Sequence, residues 1–360
     1  MNYRLSTLFA QKSFAADATE IIDINVADPI SQLIIQMGGV YVGDVATAHA
    51  IACLKKVELV DGSDVLYSLS GYEAEAVDIY HNKRMRSNWN AYLTTLGCDR
   101  TIGINFGRKL WDPMLAFDPK QFKNPQLKIS LDIDAGGNAP SSIHYSVLAA
   151  MFDEKKITPM GFLMHKEIKE YPMASAAHEY TDMPRDFPYR KLLIRAMTLG
   201  TEPCSIIEKV KLSEDQDKKI IVDHGAHEIL RSIAANNPQL IEQIMFACTA
   251  AGVYVYTTVS ERATATFCDW ATTTGGGSYA SYGSAGGRMA VKSEASKNAL
   301  AIVAGWVPHG VYEIPFGDQD DPEDWFDATI PGSVKLDIKA LTGRSASDVV
   351  QVFLQQLRKY

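Results

Sequence analysis

The chain has 360 residues, 46% of them hydrophobic and 22% charged, with a formal net charge of −8. These proportions exclude a disordered, collagenous or coiled-coil chain. Single cores stop growing at roughly 250–300 residues, so two domains are expected, and the acidic balance excludes a general nucleic-acid binder, which carries a basic footprint.

The first candidate element is Tyr3–Gln11, where Leu5, Leu8 and Phe9 share a face at helical spacing. With Arg4 and Lys12 it reads as a marginal interfacial helix inside an N-terminal arm, residues 1–18. Met1–Ala18 has no continuous apolar stretch, so it is not read as a secretory signal. Leu33–Val40 is the longest apolar run, broken by Gln36, Gly38 and Gly39 and far short of the ~18–20 residues of a spanning helix. A soluble protein made in a cytoplasm is expected.

Short strand patterns dominate the chain beyond this arm. Glu20–Ala27 alternates, and so does Leu54–Val60, which meets Val65–Leu69 across Asp61-Gly62-Ser63, a hairpin signature. The spacing then predicts a helix over Tyr72–His81 and strands at Thr101–Phe106, Gln126–Ile133, Ile143–Met151 and Ile157–His165. Prolines punctuate 166–188, which reads as a linker between a domain at 19–165 and a second at 189–360. In the second domain strands are expected at Tyr189–Thr198, Ser205–Leu212, Lys219–Val222, Gly252–Val259, Thr264–Asp269, Arg288–Lys292, Ala299–Val303, Gly310–Ile314, Val334–Ile338 and Val349–Leu357. A helix over His227–Asn236 is stopped by Pro238, and Asp321–Phe326 reads as one helical turn opened by Pro322. Many short strands with recurrent turns indicate an antiparallel sandwich or barrel.

The pattern repeats. Val57-Glu58-Leu59, a turn, a strand, Gly71 and a helix are matched by Val210-Lys211-Leu212, a turn, a strand, Gly225 and a helix, 153 positions on. Leu127–Ile133 resembles Val334–Ile338, and the alternating run from Ser141 resembles that from Ser347, 206 positions on. A duplicated β module explains both, with the second copy lengthened in the Gly/Ser/Tyr stretch at 272–288.

The usual chemical signatures are missing. Five cysteines without a CxxC pair read as free thiols in a reducing compartment. Gly275-Gly276-Gly277-Ser278-Tyr279-Ala280 fits a dinucleotide fingerprint literally, yet the Gly/Ser run after it cannot open a helix. It reads as an exposed loop, with Gly275, Gly276, Gly277, Tyr279 and Tyr282 as candidate contact residues. His224 and His227 are the one close histidine pair, and there is no His-x-His, no Gly-Lys-Ser/Thr and no Gly-x-Ser-x-Gly. The acids between Asp318 and Asp324 lack calcium-loop spacing. Arg84-Met85-Arg86 reads as a neighbour-subunit contact or solvated surface, and Trp89, Trp111, Trp306 and Trp325 as core or sandwich-end plugs. No catalytic, cofactor-binding or metal-binding residue is assigned, and no cofactor is expected.

Two eight-stranded antiparallel jelly rolls in tandem, an all-β fold with a few short helices, describe this chain. It resembles the double jelly-roll major capsid proteins of tailless, membrane-containing icosahedral viruses. The resemblance rests on Val57–Tyr80 (VELVDGSDVLYSLSGYEAEAVDIY), Phe106–Pro113 (FGRKLWDP), Asn124–Ile133 (NPQLKISLDI), Tyr189–Arg195 (YRKLLIR) with the hairpin Val210–Val222, and Val349–Tyr360 (VVQVFLQQLRKY). It implies a homotrimer whose six rolls form a pseudo-hexagonal capsomer, packed against neighbouring capsomers, penton and minor capsid proteins in a virion. It implies no enzymatic activity and no direct nucleic-acid contact. The long loops would point outward. Arg4, Leu5, Leu8, Phe9 and Lys12 would face inward, towards an internal membrane or a neighbouring capsomer. The alternatives are a bicupin-like or carbohydrate-active β-sandwich enzyme, against which the missing His-x-His weighs, and a glycan-binding spike or lectin module.

Overall fold

A computed structural model of the chain describes residues 2–40, 46–87, 89–93, 97–136, 142–248, 253–270, 278–284, 286–291 and 297–360. The first half contains β1 (Tyr3–Phe14), β2 (Ala18–Asp23), β3 (Ile30–Val40), β4 (Leu54–Asp61), β5 (Asp64–Leu69), α1 (Gly71–Asn82), β6 (Trp89–Tyr92), β7 (Gly97–Asn105), β8 (Pro125–Leu131) and β9 (Ser142–Phe152). Eight of these strands form two facing sheets, ordered β1-β9-β3-β7 and β2-β8-β4-β5. The chain crosses repeatedly between the sheets, which is the winding of a jelly roll.

The second half repeats it with β10 (Gly161–Pro172), β11 (His178–Asp182), β12 (Tyr189–Ala196), β13 (Ile207–Glu214), β14 (Lys219–Gly225) and α2 (Ala226–Asn236). An inserted region follows: β15 (Leu240–Cys248), β16 (Val253–Tyr256), β17 (Val259–Trp270), β18 (Ser278–Ser284), β19 (Arg288–Val291) and β20 (Lys297–Pro308). The roll closes with β21 (Val311–Pro315), β22 (Val334–Ala340) and β23 (Val349–Lys359). Its sheets, β10-β23-β12-β21 and β11-β22-β13-β14, have the same order as those of the first roll.

The two rolls share most of their irregularities, the shift at Phe9/Lys12 in β1 being without a counterpart in β10. A register shift at Thr7/Phe9 in β1 recurs at Glu167/Lys169 in β10. Shifts at Ile30/Gln32 and Tyr189/Lys191 match in β3 and β12. Those at Leu54/Lys56 and Ile207/Lys209 match in β4 and β13, as do Leu59/Val60 and Leu212/Ser213. Bulges re-aim a strand and are specific features of a ladder, so they align the copies residue by residue. This alignment keeps Val57 with Val210 but moves two of the sequence matches. Leu127 is equivalent to Leu336, because they pair with Leu59 and Leu212, each two residues after the matched valine of its strand. Val147 is equivalent to Val352, one position from the match at 206.

Several expectations need correction. Tyr3–Phe14 is an edge strand on β9, not a helix. Its mixed burial follows strand pairing interrupted by two register shifts, and the helical spacing of Leu5, Leu8 and Phe9 is incidental. Leu33–Val40 belongs to β3, a central strand between β9 and β7 that is buried over most of its length, so no alternation marks it. Lys166–Pro172 continues β10, and His178–Asp182 is a strand within the stretch read as linker. Asp321–Phe326 forms turns closed by Asp324 N–H to Asp321 C=O (3.2 Å), not a helical turn.

The hydrophobic residues of both rolls pack as one cluster, from Phe14 and Ile22 through Tyr189 and Leu192 to Leu354. A second cluster lies under the inserted region, where Ile244, Val259, Ala301 and Val303 meet Ile79 and Tyr92 of the first half.

The helices occupy equivalent places but are capped unequally. The Ser70 hydroxyl accepts the Glu73 N–H, and Glu73 Oε2 accepts the Ser70 N–H at 2.7 Å, a reciprocal box. At α2 the cap is Gly225, so only the Glu228 half remains, with Glu228 Oε2 accepting the Gly225 N–H at 2.9 Å. A Cβ at Gly225 would meet nothing closer than 3.6 Å. Ser70→Ala is expected to lower stability by about 1 kcal/mol, and Gly225→Ser to raise it by a few tenths, in chemical denaturation.

Candidate functional site

The two rolls meet edge to edge. Strand β5 of the first pairs in parallel with β10 of the second, Tyr67 opposite His165 and Ser68 opposite Lys166. This joins one sheet from each roll into eight continuous strands, β2-β8-β4-β5-β10-β23-β12-β21. Around the seam the Tyr67 and His165 rings lie 5.4 Å apart, and the Lys56 ammonium is 2.7 Å from Glu167. Arg358 Nη1 donates to Asp64 Oδ1 at 3.0 Å, and the Tyr80 hydroxyl donates to the Val311 carbonyl at 2.6 Å. Leu115 of the first roll packs with Leu163, Trp325 and Leu357 of the second. Burial drives His165 down to about 3, so this seam histidine is neutral.

A second contact lies where the inserted region touches the first roll, with β6 running parallel to β15. Here a buried polar group gathers His49, Glu75, Arg100, Glu242, Thr258 and His309. Glu75 Oε2 accepts from His309 Nε2 at 2.8 Å, and Glu75 Oε1 accepts from Arg100 Nη2. Arg100 Nη2 also lies 3.2 Å from Thr258 Oγ1. Glu242 Oε1 accepts the Thr258 N–H at 2.7 Å. Burial works against the Glu75 carboxylate, but the Arg100 guanidinium and His309 outweigh it and hold its pKa below the usual range. Burial pushes both His49 and His309 down, reinforced by Arg100 at His49 and opposed by Glu75 at His309. Glu242 is pushed up to about 7 by burial, with Arg100 and the Thr258 and Val259 N–H groups opposing.

The ligand atoms of His49, Glu75 and His309 lie within 4.8 Å of one another. Hydrogen bonds already use most of that capacity, although the buried His309 Nδ1 has no hydrogen-bond partner among the described residues. His49 Nδ1 accepts the Ile51 N–H at 3.2 Å, which leaves the ring proton on Nε2, the nitrogen facing Thr258. Both Glu75 oxygens are taken by donors. A second trio, Glu202, Cys204 and Glu261, is closed in the same way. Glu261 accepts from the Cys204 N–H (2.7 Å), the Cys204 thiol (3.1 Å) and the Tyr312 hydroxyl (2.7 Å). Burial raises the Cys204 pKa, so the thiol stays protonated. Both groups act as buried polar clamps. Sequence reading missed them because their members are up to 260 positions apart, His49 to His309. The available signal was an α1 with Glu73, Glu75 and Asp78 spread around its circumference, all three of which are buried.

The residues singled out from sequence do not form one site. Arg4 pairs with Asp28 (2.9 Å) and Lys12 with Glu20 (2.6 Å). Leu8 and Phe9 pack against the core, which leaves Leu5 exposed at 60%. The five therefore form no apolar face flanked by free cations. Gly275, Gly276 and Gly277 lie outside the described residues. Tyr279 and Tyr282 lie on β18, paired with Phe267 and Thr264 of β17, so part of the expected loop is a hairpin strand. Trp325 is buried and Trp89 is 40% exposed on β6.

No family model matches the sequence, and no curated protein matches it. Solved structures do. The STIV major capsid protein superposes with a TM-score of 0.60 at 12% identity, covering 99% of this chain and 96% of that one. The major capsid protein P2 of bacteriophage PM2 gives 0.58 at 10% identity, covering 99% and 98%. The PBCV-1 virus capsid gives 0.55 at 10% identity, covering 98% and 94%. The chain thus has the double jelly-roll fold of these capsid proteins from end to end.

The Glu242 shift has a definite sign. Its folded pKa, about 7, lies above the ordinary glutamate value of 4.5. The group is therefore least costly below pH 4.5, and stability falls as pH rises from 4.5 through 7. A shift of this size corresponds to roughly 3 kcal/mol. Glu242→Gln keeps the acceptor for Thr258 and removes the titration. The variant is expected to gain stability relative to the parent at about pH 8 but not at about pH 4.5, read as the difference in melting temperature across that range.

Proposed function

We propose that the chain is a major capsid protein that assembles as a homotrimer, its six jelly rolls forming a pseudo-hexagonal capsomer of an icosahedral virion. The observation that carries this reading is the double jelly-roll fold shared over 99% of the chain with the STIV and PM2 major capsid proteins. The geometry fits a structural role. The polar groups with chemical potential, around Glu75 and Glu261, are buried and bonded mainly to one another, which suits holding elements together rather than meeting a substrate. Its partners would be other copies of itself and the penton and minor capsid proteins of the shell, with the internal membrane beneath as the resemblance implies. Obligate contacts of this kind bury about 2,000–5,000 Å² and need no catalytic group.

Size-exclusion chromatography with light scattering should give a particle of three times 39.6 kDa. Electron microscopy of that fraction should show pseudo-hexagonal plates. A chain that stays monomeric at every concentration would defeat the reading.

A further inference from the structure

The seam inside the chain uses one edge from each roll. Each roll has the same set of edges, so the counterpart of each used edge remains open. The β14 edge of the second roll is the counterpart of β5, and the β1 edge of the first is the counterpart of β10. The matched bulges convert the seam into residue equivalents. Leu5 and Ser6 correspond to His165 and Lys166, because their partners on β9 and β23 correspond. Val222 and Asp223 correspond to Tyr67 and Ser68, opposite Leu212 and Lys211 as those are opposite Leu59 and Glu58.

Burial distinguishes the used edges from the open ones. His165 is fully buried at the seam, whereas its counterpart Leu5 is 60% exposed and apolar. Leu66 and Leu69 are buried on β5. Their counterparts on β14 are Ile221, partly exposed, and His224, exposed. Ile220, the counterpart of Val65, is 51% exposed. Two hollows of about 620 and 520 Å³ run along this edge, sharing Ile221, Phe316 and Gly317, and Ile330 on the rim of the larger is 81% exposed. An exposed edge with apolar side chains is a template for another strand.

We infer that the β14 edge of one copy receives the β1 edge of a second copy, in parallel and in the register of the internal seam, with Leu5 beside Val222 and Ser6 beside Asp223. The inference rests on the trimeric reading above and names the surfaces that build it. The occupant is a second copy because the internal seam already shows this pair of edges joined, and among the described residues the free edges that reproduce it are β1 and β14. The ion pair between Lys56 and Glu167 is not repeated, since the counterparts are Lys209 and Thr7. The other flanking pair, Arg358 with Asp64, maps onto Asp153 and Lys219, again of opposite charge, so main-chain pairing, apolar cover and this one pair carry the contact. The contact is heterologous, so repeating it around an axis closes a ring when three steps complete the rotation.

Neighbouring strands lie about 4.8 Å apart, within disulfide range. A full-length chain carrying both Ser6→Cys and Asp223→Cys, oxidised after assembly, should run as covalent trimers on a denaturing non-reducing gel. Reductant should collapse them, and neither single variant should form them. Leu5→Asp should shift the particle from trimer towards monomer in light scattering while its circular dichroism stays that of the parent. Trimers that neither cross-link nor respond to Leu5→Asp overturn this contact and leave the capsid reading standing. A parent chain that never assembles overturns both.

Discussion

An open sandwich of two four-stranded sheets has four edges, each with a row of unpaired backbone donors and acceptors. That constraint organises this molecule. The parallel pairing of β5 with β10 removes one edge from each roll and fuses two sheets into a single eight-stranded one. Only two residue pairs form the seam itself, so side chains complete it. The Lys56–Glu167 and Arg358–Asp64 ion pairs flank it, and Leu115, Leu163 and Leu357 exclude water beside it. Ion pairs at this degree of exposure contribute little alone. The apolar cover and the continuous core across both rolls carry the larger share.

The inserted region adds a second tie. Strand β6 is short and sits in the first roll's connection between α1 and β7, yet it completes the sheet built by the second roll's insertion. The buried group of Glu75, Arg100, His309 and Thr258 lies at the same place. Breaking one member would leave a buried charge without its partner, which is far more costly than never having placed it. The group therefore fixes how the insertion seats on the first roll.

The sequence showed the fold class and the duplication clearly, and the residues of the seam not at all. Strands 54–61 and 207–214 were visible because one face is buried and the other solvated, so polarity alternates. Register was harder. In a strand the pattern repeats every two residues, so aligning Leu127 with Val334 instead of Leu336 leaves the same face inward and looks equally good. The shift of one residue at Val147 went unseen for a different reason: β23 is buried on both faces and shows no alternation to violate. Edge strand β1 was misread because its burial is broken by two bulges, and a bulge imitates the change of phase expected from a helix. The clamps around Glu75 and Glu261 were invisible because their members converge only through the tertiary fold.

These ties bear on how a copied module becomes an assembly unit. A head-to-tail contact closes into a ring only if each step turns by a fixed angle; any play lets it run on as an open filament. Within the chain the angle between rolls is set twice, by the β5–β10 seam and by β6 on β15, with buried polar bonds locking the second tie. The copies differ where this locking occurs: the second roll carries the insertion, and the first roll's counterpart of His165 is a leucine, Leu5. One seam is made permanent within the chain, and the matching open edges, β1 and β14, are the pair proposed to join between chains.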